Sequence, residues 1–506
     1  MRFLLFLVLL LSFACSSDGG PSEATPATRL APGGAQDFGL FRDIVERGGV
    51  PSPDTLDATG FFAEHAIGTP EATCGASVCA SASLGVLRNL MDGRTCTLVR
   101  IGLATPLAGD TVTAPAHVVV ALDLSGRSLA LRETVIRPAL EALFAGLGEG
   151  DTVSVVGYAE GATRIASHAR TFEEVWPAIE SSSGGLRDLY GGLRAAYELA
   201  GATDDGRDAR VLALVTPGTE RGVTSPARLV ELVRAYAREG IATSVVGLGA
   251  REDETLWSRL AASGAGNAYF VGEDGAEARA VIATEIATSF TPIARDVRIR
   301  LDAGNAWDVV GLYGATDAQL DTEAGIASLP SLFLAGRRDG GAVGGMVGPG
   351  MRRGGGGALL FELMPRSSFA GTDLRSVGDV AVQFVDPRTG ETIVQRTTVS
   401  TPFDATAIPE DGFVGDANVD KAFVVLNVFV AFKSITLAVQ EGNYAEALAT
   451  GRALEPNLVR WLEGQPDTDV EDDLAILRAL LSNVEDDAPA DTDTANAQAV
   501  PRWSYD

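Results

Sequence analysis

Lysine, histidine and cysteine are scarce in this sequence. Only two lysines occur among 506 residues, Lys421 and Lys433, and arginine supplies nearly all the other positive charge. The formal net charge is −27, and the arginines form no cluster along the chain. Binding to the phosphate backbone of a nucleic acid needs clustered Lys and Arg side chains. We therefore do not expect nucleic acid as a partner of this chain.

The motifs of common hydrolases are also missing. The chain contains neither a GxSxG nucleophile elbow nor an SxxK motif. Two of its three histidines, His117 and His168, lie next to predicted strands. We expect each of them to be structural or exposed and not catalytic. Acidic residues cluster without the spacing of metal ligands, so metal-assisted hydrolysis lacks support. We expect a protein without enzymatic activity and keep a hydrolase as the least favoured alternative.

The N-terminus has the pattern of an exported protein. Met1-Arg2 and the apolar run Phe3–Leu11 predict a signal peptide over residues 1–15, too short to span a bilayer. The following residues resemble a bacterial lipobox, in which Cys15 is lipidated, although Ser12 stands where an apolar residue is usual. The resemblance implies a lipid anchor in the cell envelope, at the outer membrane or cell surface. An ordinary cleaved signal peptide is the alternative, and residues 16–35 predict a disordered tether.

The remaining cysteines, Cys74, Cys79 and Cys96, are an odd number in an oxidising compartment. Two of them can pair, which leaves one thiol, but the sequence does not show which two. A zinc site is a poor alternative, because no histidine lies at ligand spacing beside them.

Shifts in hydrophobic period divide the rest of the chain. With 46% hydrophobic and 21% charged residues, it can bury several cores. Five units are predicted: an accessory domain (36–107), an α/β domain (114–291), a β-sandwich-like domain (292–403), a helical bundle (416–485) and an acidic disordered tail (486–506). Within the β-rich unit, the glycine-rich segment Gly344–Gly357 lacks the residues of a phosphate-binding loop and predicts a mobile hairpin.

The α/β unit opens with the apolar run His117–Asp123, typical of a parallel strand covered on both faces. A helix is predicted over Leu129–Leu147, with Pro138 kinking or breaking it. Similar strands and helices alternate to about Ser289. The fold class expected is therefore α/β, with a doubly wound, mostly parallel sheet that binds ligands beyond the carboxyl ends of its strands.

In the C-terminal unit, the apolar stretch Ala422–Phe432 predicts a buried helix. Further helices are predicted over Tyr444–Leu454, Asn457–Leu462 and Asp473–Leu481. The carboxylates near Asp467 lack the pattern of a calcium-binding EF-hand loop and are typical of a charged helix start.

The loop Asp123-Leu124-Ser125-Gly126-Arg127-Ser128 resembles the Asp-x-Ser-x-Ser loop of von Willebrand factor type A (VWA) domains. The resemblance covers roughly Ala116–Thr291, and the flanking regions resemble those of bacterial VWA lipoproteins. It implies a Mg²⁺ site built from this Asp and two Ser, a Thr from a second loop and an Asp from a third. In that family the metal accepts a carboxylate from a protein partner.

Three of those five positions differ here: Arg127 replaces the second Ser, Arg187 the Thr, and Pro217 the second Asp. Guanidinium groups near the site would repel a divalent cation. We therefore predict no tight metal binding and no cofactor. Weak Mg²⁺ binding stays open, because oxygen donors of Asp123 and Ser125 remain and others lie close by, at Ser128, Asp188 and Thr216.

The two arginines suggest how a partner could bind without metal. Arg127 and Arg187 could hold a partner's carboxylate through paired hydrogen bonds. In the alternative, they pair internally with Asp123 and Asp188. We expect a lipid-anchored binding or adhesion protein whose VWA-like loops contact a protein partner. A metal-dependent adhesin with a rearranged site and a structural envelope scaffold remain alternatives.

Overall fold

The computed structural model describes most of the chain between residues 28 and 502. The described residues are 28–33, 38–68, 71–107, 115–202, 208–217, 225–249, 254–289, 292–315, 319–334, 358–366, 375–401, 412–492, 494 and 496–502. The predicted signal peptide, Cys15 and the segment Gly344–Gly357 lie outside them.

The elements follow one another in three regions. The first comprises β1 (Thr28–Pro32), α1 (Gly39–Glu46), α2 (Ala58–Glu64), β2 (Cys79–Arg88) and β3 (Thr95–Thr105). The α/β region comprises β4 (Ala116–Asp123), α3 (Arg137–Ala145), β5 (Thr152–Tyr158), β6 (Ala162–Ala169), α4 (Trp176–Glu180), α5 (Leu189–Gly201), β7 (Asp208–Val215), α6 (Pro226–Arg238), β8 (Ala242–Leu248), α7 (Glu254–Ser263), β9 (Ala265–Val271) and α8 (Gly275–Ser289). The last comprises β10 (Pro292–Ala303), β11 (Trp307–Tyr313), β12 (Leu320–Asp321), β13 (Ile326–Leu334), β14 (Leu359–Pro365), β15 (Ser376–Val385), β16 (Thr392–Ser400), β17 (Phe413–Val414), α9 (Ala417–Gln440), α10 (Tyr444–Gly464) and α11 (Thr468–Asp487).

The α/β region contains a six-stranded sheet in the order β6-β5-β4-β7-β8-β9. All neighbouring strands are parallel except the pair β5 and β6. Every residue of β4 is buried, as expected of a central strand with helices over both faces. Helices α3 and α8 contribute to the core on one face, and α5, α6 and α7 to the core on the other. The chain leaves β4 toward β5 on one side and returns to β7 on the other, which creates a switch point between β4 and β7.

The predicted helix over Leu129–Leu147 is replaced by three short segments. A 3-10 turn over Ser128–Leu131 leads into a π-helical turn over Arg132–Ile136, and α3 begins only at Arg137. Pro138 therefore lies in the first turn of α3. A proline fits there because the first amide groups of a helix have no intrahelical acceptor.

Residues 36–107 do not form the separate accessory unit that the sequence predicted. Strands β2 and β3 join the β-rich sheet, while α1 and α2 pack into the core of the C-terminal helices. A buried polar contact reinforces that second association, since His65 Nε2 and Asp473 Oδ2 are 2.7 Å apart. Both groups of elements bury apolar faces that they could not cover alone.

The β-rich region is an eleven-stranded antiparallel assembly around one apolar core. Strand β1 joins its two halves, because Thr28 and Arg29 pair with β3, whereas Leu30–Pro32 pair with β13. The prediction of a disordered tether is therefore wrong for β1. The composition of residues 16–35 did not reveal that two distant strands offer backbone partners to this segment.

The C-terminal helices differ from the prediction at Pro456. The two helices expected over Tyr444–Leu454 and Asn457–Leu462 are one continuous helix, α10, with Pro456 inside it. Tertiary packing offsets the lost backbone hydrogen bond, because Leu454 and Leu458 on either side of the proline are fully buried. Asp467 caps α11 by accepting the backbone N–H groups of Asp469 and Val470, which agrees with the charged helix start that was predicted.

Helix α9 is the one helix of the described residues that is long and apolar enough to cross a membrane. Protein atoms bury 83% of its most apolar 18-residue window. The helix forms the centre of the core that also includes α1, α2, α10 and α11. This burial agrees with the core helix predicted from Ala422–Phe432.

The acidic tail also differs from the prediction of disorder over residues 486–506. Asp486 and Asp487 form the end of α11, and residues 496–502 return to the surface of α9 and α10. Arg502 pairs there with Glu441 and Glu446. Composition favoured disorder, whereas a few specific polar contacts order this segment.

Candidate functional site

The predicted site lies at the switch point of the α/β sheet. Asp123 ends β4 and Thr216 directly follows β7, the neighbouring parallel strand. Both residues are 0% exposed. Asp123 Oδ2 accepts the backbone N–H of Thr216 at 3.1 Å and its hydroxyl at 2.6 Å. Asp123 Oδ1 accepts the backbone N–H of Ser125 at 2.8 Å. Both carboxylate oxygens therefore bind groups of the protein itself.

The first loop is closed by its own serines. Ser128 Oγ donates to the carbonyl oxygen of Ser125 at 2.9 Å, and Ser128 N donates to the same oxygen at 3.1 Å. Both serines are buried, at 6% and 1% exposure. Arg127, between them, is exposed. Arg127 is thus exposed, while the hydroxyl of Ser128 stabilises the turn through the carbonyl of Ser125.

The second loop, which contains Gly184–Asp188 and leads into α5, lies directly against the first loop, Asp123–Ser128. Gly126 N donates to the carbonyl oxygen of Gly185 at 3.1 Å. A Cβ atom at Gly184 would lie 2.9 Å from Gly126 Cα, so glycine allows this close approach. The structure therefore brings together the two segments that the sequence predicted for this site.

Asp188 acts as a helix cap at this position. Its Oδ1 accepts the backbone N–H of Gly191 at 2.9 Å at the start of α5. Such a cap satisfies one of the amide groups that the first helical turn leaves without a partner. The Asp188 carboxylate is therefore used to cap α5.

Arg187 is buried beneath the loops, with 3% of its surface exposed. Its Nη1 donates to the carbonyl oxygen of Thr216. Its Cζ lies 5.2 Å from the centroid of the Trp257 ring, which α7 supplies. A guanidinium over an indole face gains a cation–π interaction. Arg187 therefore links the second loop, the end of β7 and α7.

This arrangement differs from an open cation site. Both carboxylate oxygens of Asp123 accept protein donors, and one carboxylate oxygen of Asp188 caps α5. The hydroxyl groups of Ser128 and Thr216 donate their protons within the protein and keep their oxygen lone pairs. A buried positive charge, Arg187, lies in the same small region. The residues present thus fit a Mg²⁺ site poorly.

Leu186 is a surface residue that the sequence analysis did not identify. It precedes Arg187 in the second loop, and 51% of its surface is exposed. The signal in the sequence was a leucine between Gly185 and a charged residue, outside any helical or strand pattern. Leu186 and Arg127 give this end of the sheet an apolar and a cationic group.

Pro217 is buried and is the last described residue before the third loop. It stands at the position where the sequence resemblance implied a second aspartate, and a proline supplies no carboxylate. The rest of that loop lies outside the described residues.

The histidines lie away from this site. His117 belongs to the opposite end of β4, where its Nε2 is 2.8 Å from Ser154 Oγ. Its ring lies 4.6 Å from that of His168, centroid to centroid. These contacts are those of packed, hydrogen-bonded side chains.

The structure shows which two of the three cysteines Cys74, Cys79 and Cys96 form a disulfide. Cys74 and Cys79 form a disulfide, and Cys96 is a buried free cysteine. Burial, and secondly the neighbouring Glu362 carboxylate, raise the pKa of the Cys96 thiol to about 12. Cys96, the cysteine without a disulfide partner, is therefore poorly suited to nucleophilic chemistry.

Comparison with known proteins gives matches only among solved structures. No protein-family model matches the chain, and no curated protein matches it. A von Willebrand factor type A structure from Catenulispora acidiphila is 15% identical, with 80% of this chain and 89% of that chain covered and a TM-score of 0.48. The ArnB paralog VWA2 from Sulfolobus acidocaldarius is 14% identical, with 81% and 98% covered and a TM-score of 0.41. The conserved hypothetical protein BatB from Bacteroides thetaiotaomicron is 18% identical, with 34% and 98% covered and a TM-score of 0.29.

Proposed function

We propose that this chain is an exported, lipid-anchored VWA-type protein that binds a protein partner without a metal ion and without enzymatic activity. In this proposal the α/β region is the doubly wound VWA-like unit, and the loop after β4 and the loop before α5 form the contact surface. Cys15 carries the lipid, and the partner presents a carboxylate. The VWA assignment rests on the Asp123–Ser128 loop and its place at the switch point of the sheet.

The observation that supports metal independence is that protein donors engage both carboxylate oxygens of Asp123. A metal ligand must offer its oxygen lone pairs, but three protein donors already use three of the roughly four lone-pair positions of this carboxylate. A cation would have to replace these bonds beside the buried Arg187 guanidinium. The cost of that exchange favours the closed, internally bonded loop.

The exposed contact groups are Arg127 and Leu186. Arginine recognises carboxylates through parallel hydrogen bonds, and Leu186 adds exposed apolar surface in the neighbouring loop. Arg187, by contrast, supports the loops from below, so we assign the carboxylate contact to Arg127 alone. This changes the sequence hypothesis, in which both arginines met the partner.

Photo-crosslinking in the native membrane tests this function. A photoreactive amino acid at position 186 should capture a partner, and the yield should fall several-fold with Arg127→Ala and remain unchanged with EDTA. The same amino acid at Met364 is the matched control, because Met364 is also 51% exposed but lies on β14. Equal capture from both positions, or capture that EDTA abolishes, would contradict the proposal.

The lipid anchor needs a separate experiment. Cells fed an alkyne-labelled fatty acid should label the chain, and Cys15→Ser should remove the label and release the protein from the membrane fraction. Labelling that persists in Cys15→Ser would refute the assignment of the anchor to this residue.

A further inference from the structure

The segment over residues 496–502 follows α11, and two of its residues, Val500 and Arg502, contact α9 and α10. We define the tail-docking surface by the four residues that it contacts there, Ser434, Glu441, Glu446 and Thr450. These residues come from the end of α9, the turn after it and the first part of α10. The contacts are polar and specific, and they differ in kind from the apolar packing of the helices beneath.

Arg502 is the side-chain anchor of the segment. Its Nη1 donates to Glu441 Oε1 at 2.7 Å, and its Nη2 to Glu441 Oε2 at 2.6 Å. Nη2 also donates to Glu446 Oε1 at 3.1 Å. Two parallel hydrogen bonds to one carboxylate match the fork of a guanidinium, and the ammonium of lysine cannot reproduce them. The surface therefore selects for arginine at this position.

Two backbone groups of the segment bind buried hydroxyls. Arg502 N donates to Ser434 Oγ at 2.9 Å, and Val500 N donates to Thr450 Oγ1 at 3.2 Å. Ser434 and Thr450 are 1% and 0% exposed. Each hydroxyl gives its proton to its own helix, Ser434 to Val430 O and Thr450 to Glu446 O. Their oxygen lone pairs remain as acceptors that face the segment.

The spacing of these contacts defines the class of ligand. The two backbone donors are two residues apart, as on one side of an extended chain. Pro501 stands between them, where no N–H is needed, and its ring restricts the backbone to conformations compatible with extended chain. Val500 is 45% exposed, so the surface does not select its side chain. The ligand is therefore an extended peptide with an arginine and a free N–H two residues before it.

We propose that the tail-docking surface is a peptide-binding site whose occupant in this structure, residues 496–502, is a detachable intramolecular ligand. The polar contacts and the exposed Val500 hold the segment without adding it to the core of α9, α10 and α11. Its release would leave that core intact and open the surface to the same peptide supplied from outside.

The test uses the full chain and a fluorescent peptide of residues 496–502 with an amidated C-terminus. The receiving protein carries Val500→Pro and Arg502→Ala, which remove one backbone donor and the anchor of its own segment. The peptide should bind this variant saturably in fluorescence anisotropy and the wild-type chain about tenfold or more weakly, because the wild-type surface is occupied. Matching circular dichroism and thermal unfolding of the two proteins check that both are folded.

Two further variants define the site. Adding Glu441→Gln and Glu446→Gln to the receiving protein should weaken the peptide about tenfold or more. Glu455→Gln is the matched control. Glu455 on α10 also pairs with an arginine, Arg478 on α11, at 2.7 Å, but the segment has no contact with Glu455 among those given above. A peptide with Arg502→Lys should lose most of the affinity. The proposal is wrong if the folded receiving protein shows no saturable binding, or if the Glu441 and Glu446 changes leave binding unaltered.

Discussion

Thr216 donates both its backbone N–H and its hydroxyl to one oxygen of Asp123, from the end of the neighbouring strand. The pair is completely buried, and it joins the two strands that flank the switch point of the sheet. These bonds connect the first loop to the end of β7 and use lone pairs of the Asp123 carboxylate. In the function proposed above, Asp123 is the centre of a structural network and not a metal ligand.

Removing the Thr216 hydroxyl should destabilise this network. Thr216→Val keeps the shape of the side chain but leaves a buried carboxylate oxygen short of a donor, which should cost about 1–3 kcal/mol of unfolding free energy. Urea denaturation followed by tryptophan fluorescence measures the change. Thr216→Ser retains the hydroxyl and is the control. Equal stability of the valine variant and the wild type would show that the hydroxyl bond is dispensable.

Metal titration separates the structural from the ligand role of Asp123. Isothermal calorimetry of the wild type with Mg²⁺ and Mn²⁺ should show no saturable heat. The combined changes Arg127→Ser, Arg187→Thr and Pro217→Asp restore the donor set of the family and should introduce saturable binding. Micromolar affinity in the wild type that Asp123→Ala abolishes would overturn metal independence.

The contact between Arg187 and Trp257 should appear as a coupling energy. A double-mutant cycle with Arg187→Met and Trp257→Leu should give about 0.5–2 kcal/mol, the range of a cation–π interaction removed from water. Urea midpoints of the four proteins provide the measurement. A coupling near zero would mean that the two side chains pack without mutual stabilisation.

The Glu441 carboxyl should titrate below its ordinary range. Hydrogen bonds from Arg502 lower the pKa of Glu441 from 4.5. A lowered pKa in the docked state means that this contact stabilises docking above pH 4.5 and is lost as the pH falls through the lower value. Carbon-13 NMR titration should show the lowered pKa in the wild type and a value near 4.5 in Arg502→Ala. Identical titration curves would place Arg502 away from Glu441 in solution.

Cys96 should resist alkylation in the folded protein. Its thiol is buried and has a pKa raised to about 12, so little thiolate is present at pH 8. Iodoacetamide followed by mass spectrometry should show no modification of Cys96 until denaturant is added, with Cys74 and Cys79 protected as a disulfide. Rapid labelling of Cys96 under native conditions would contradict this burial.

Local patterns in the sequence determined several elements. The apolar run ending at Asp123 predicted β4, because a short continuous apolar run is typical of a strand covered on both faces. Ser225 followed by Pro226 is a typical helix start, and in the structure Ser225 caps α6 by accepting the N–H of Arg228. The carboxylates around Asp467 predicted a helix start for the same local reason. The sequence also identified Arg127, Arg187 and Pro217 as replacements of expected metal ligands, because each differs from the residue that the VWA resemblance implies at its position.

Only the tertiary structure decided where these groups point and what they contact. Arg127 and Arg187 look equivalent in the sequence, yet one is exposed and the other lies buried over Trp257. The pairing of β1 with β3 and β13, and the docking of Arg502 on Glu441, likewise join residues far apart in the chain. Sequence patterns report on neighbours within a few positions, whereas burial and partners depend on which distant surfaces meet when the core forms.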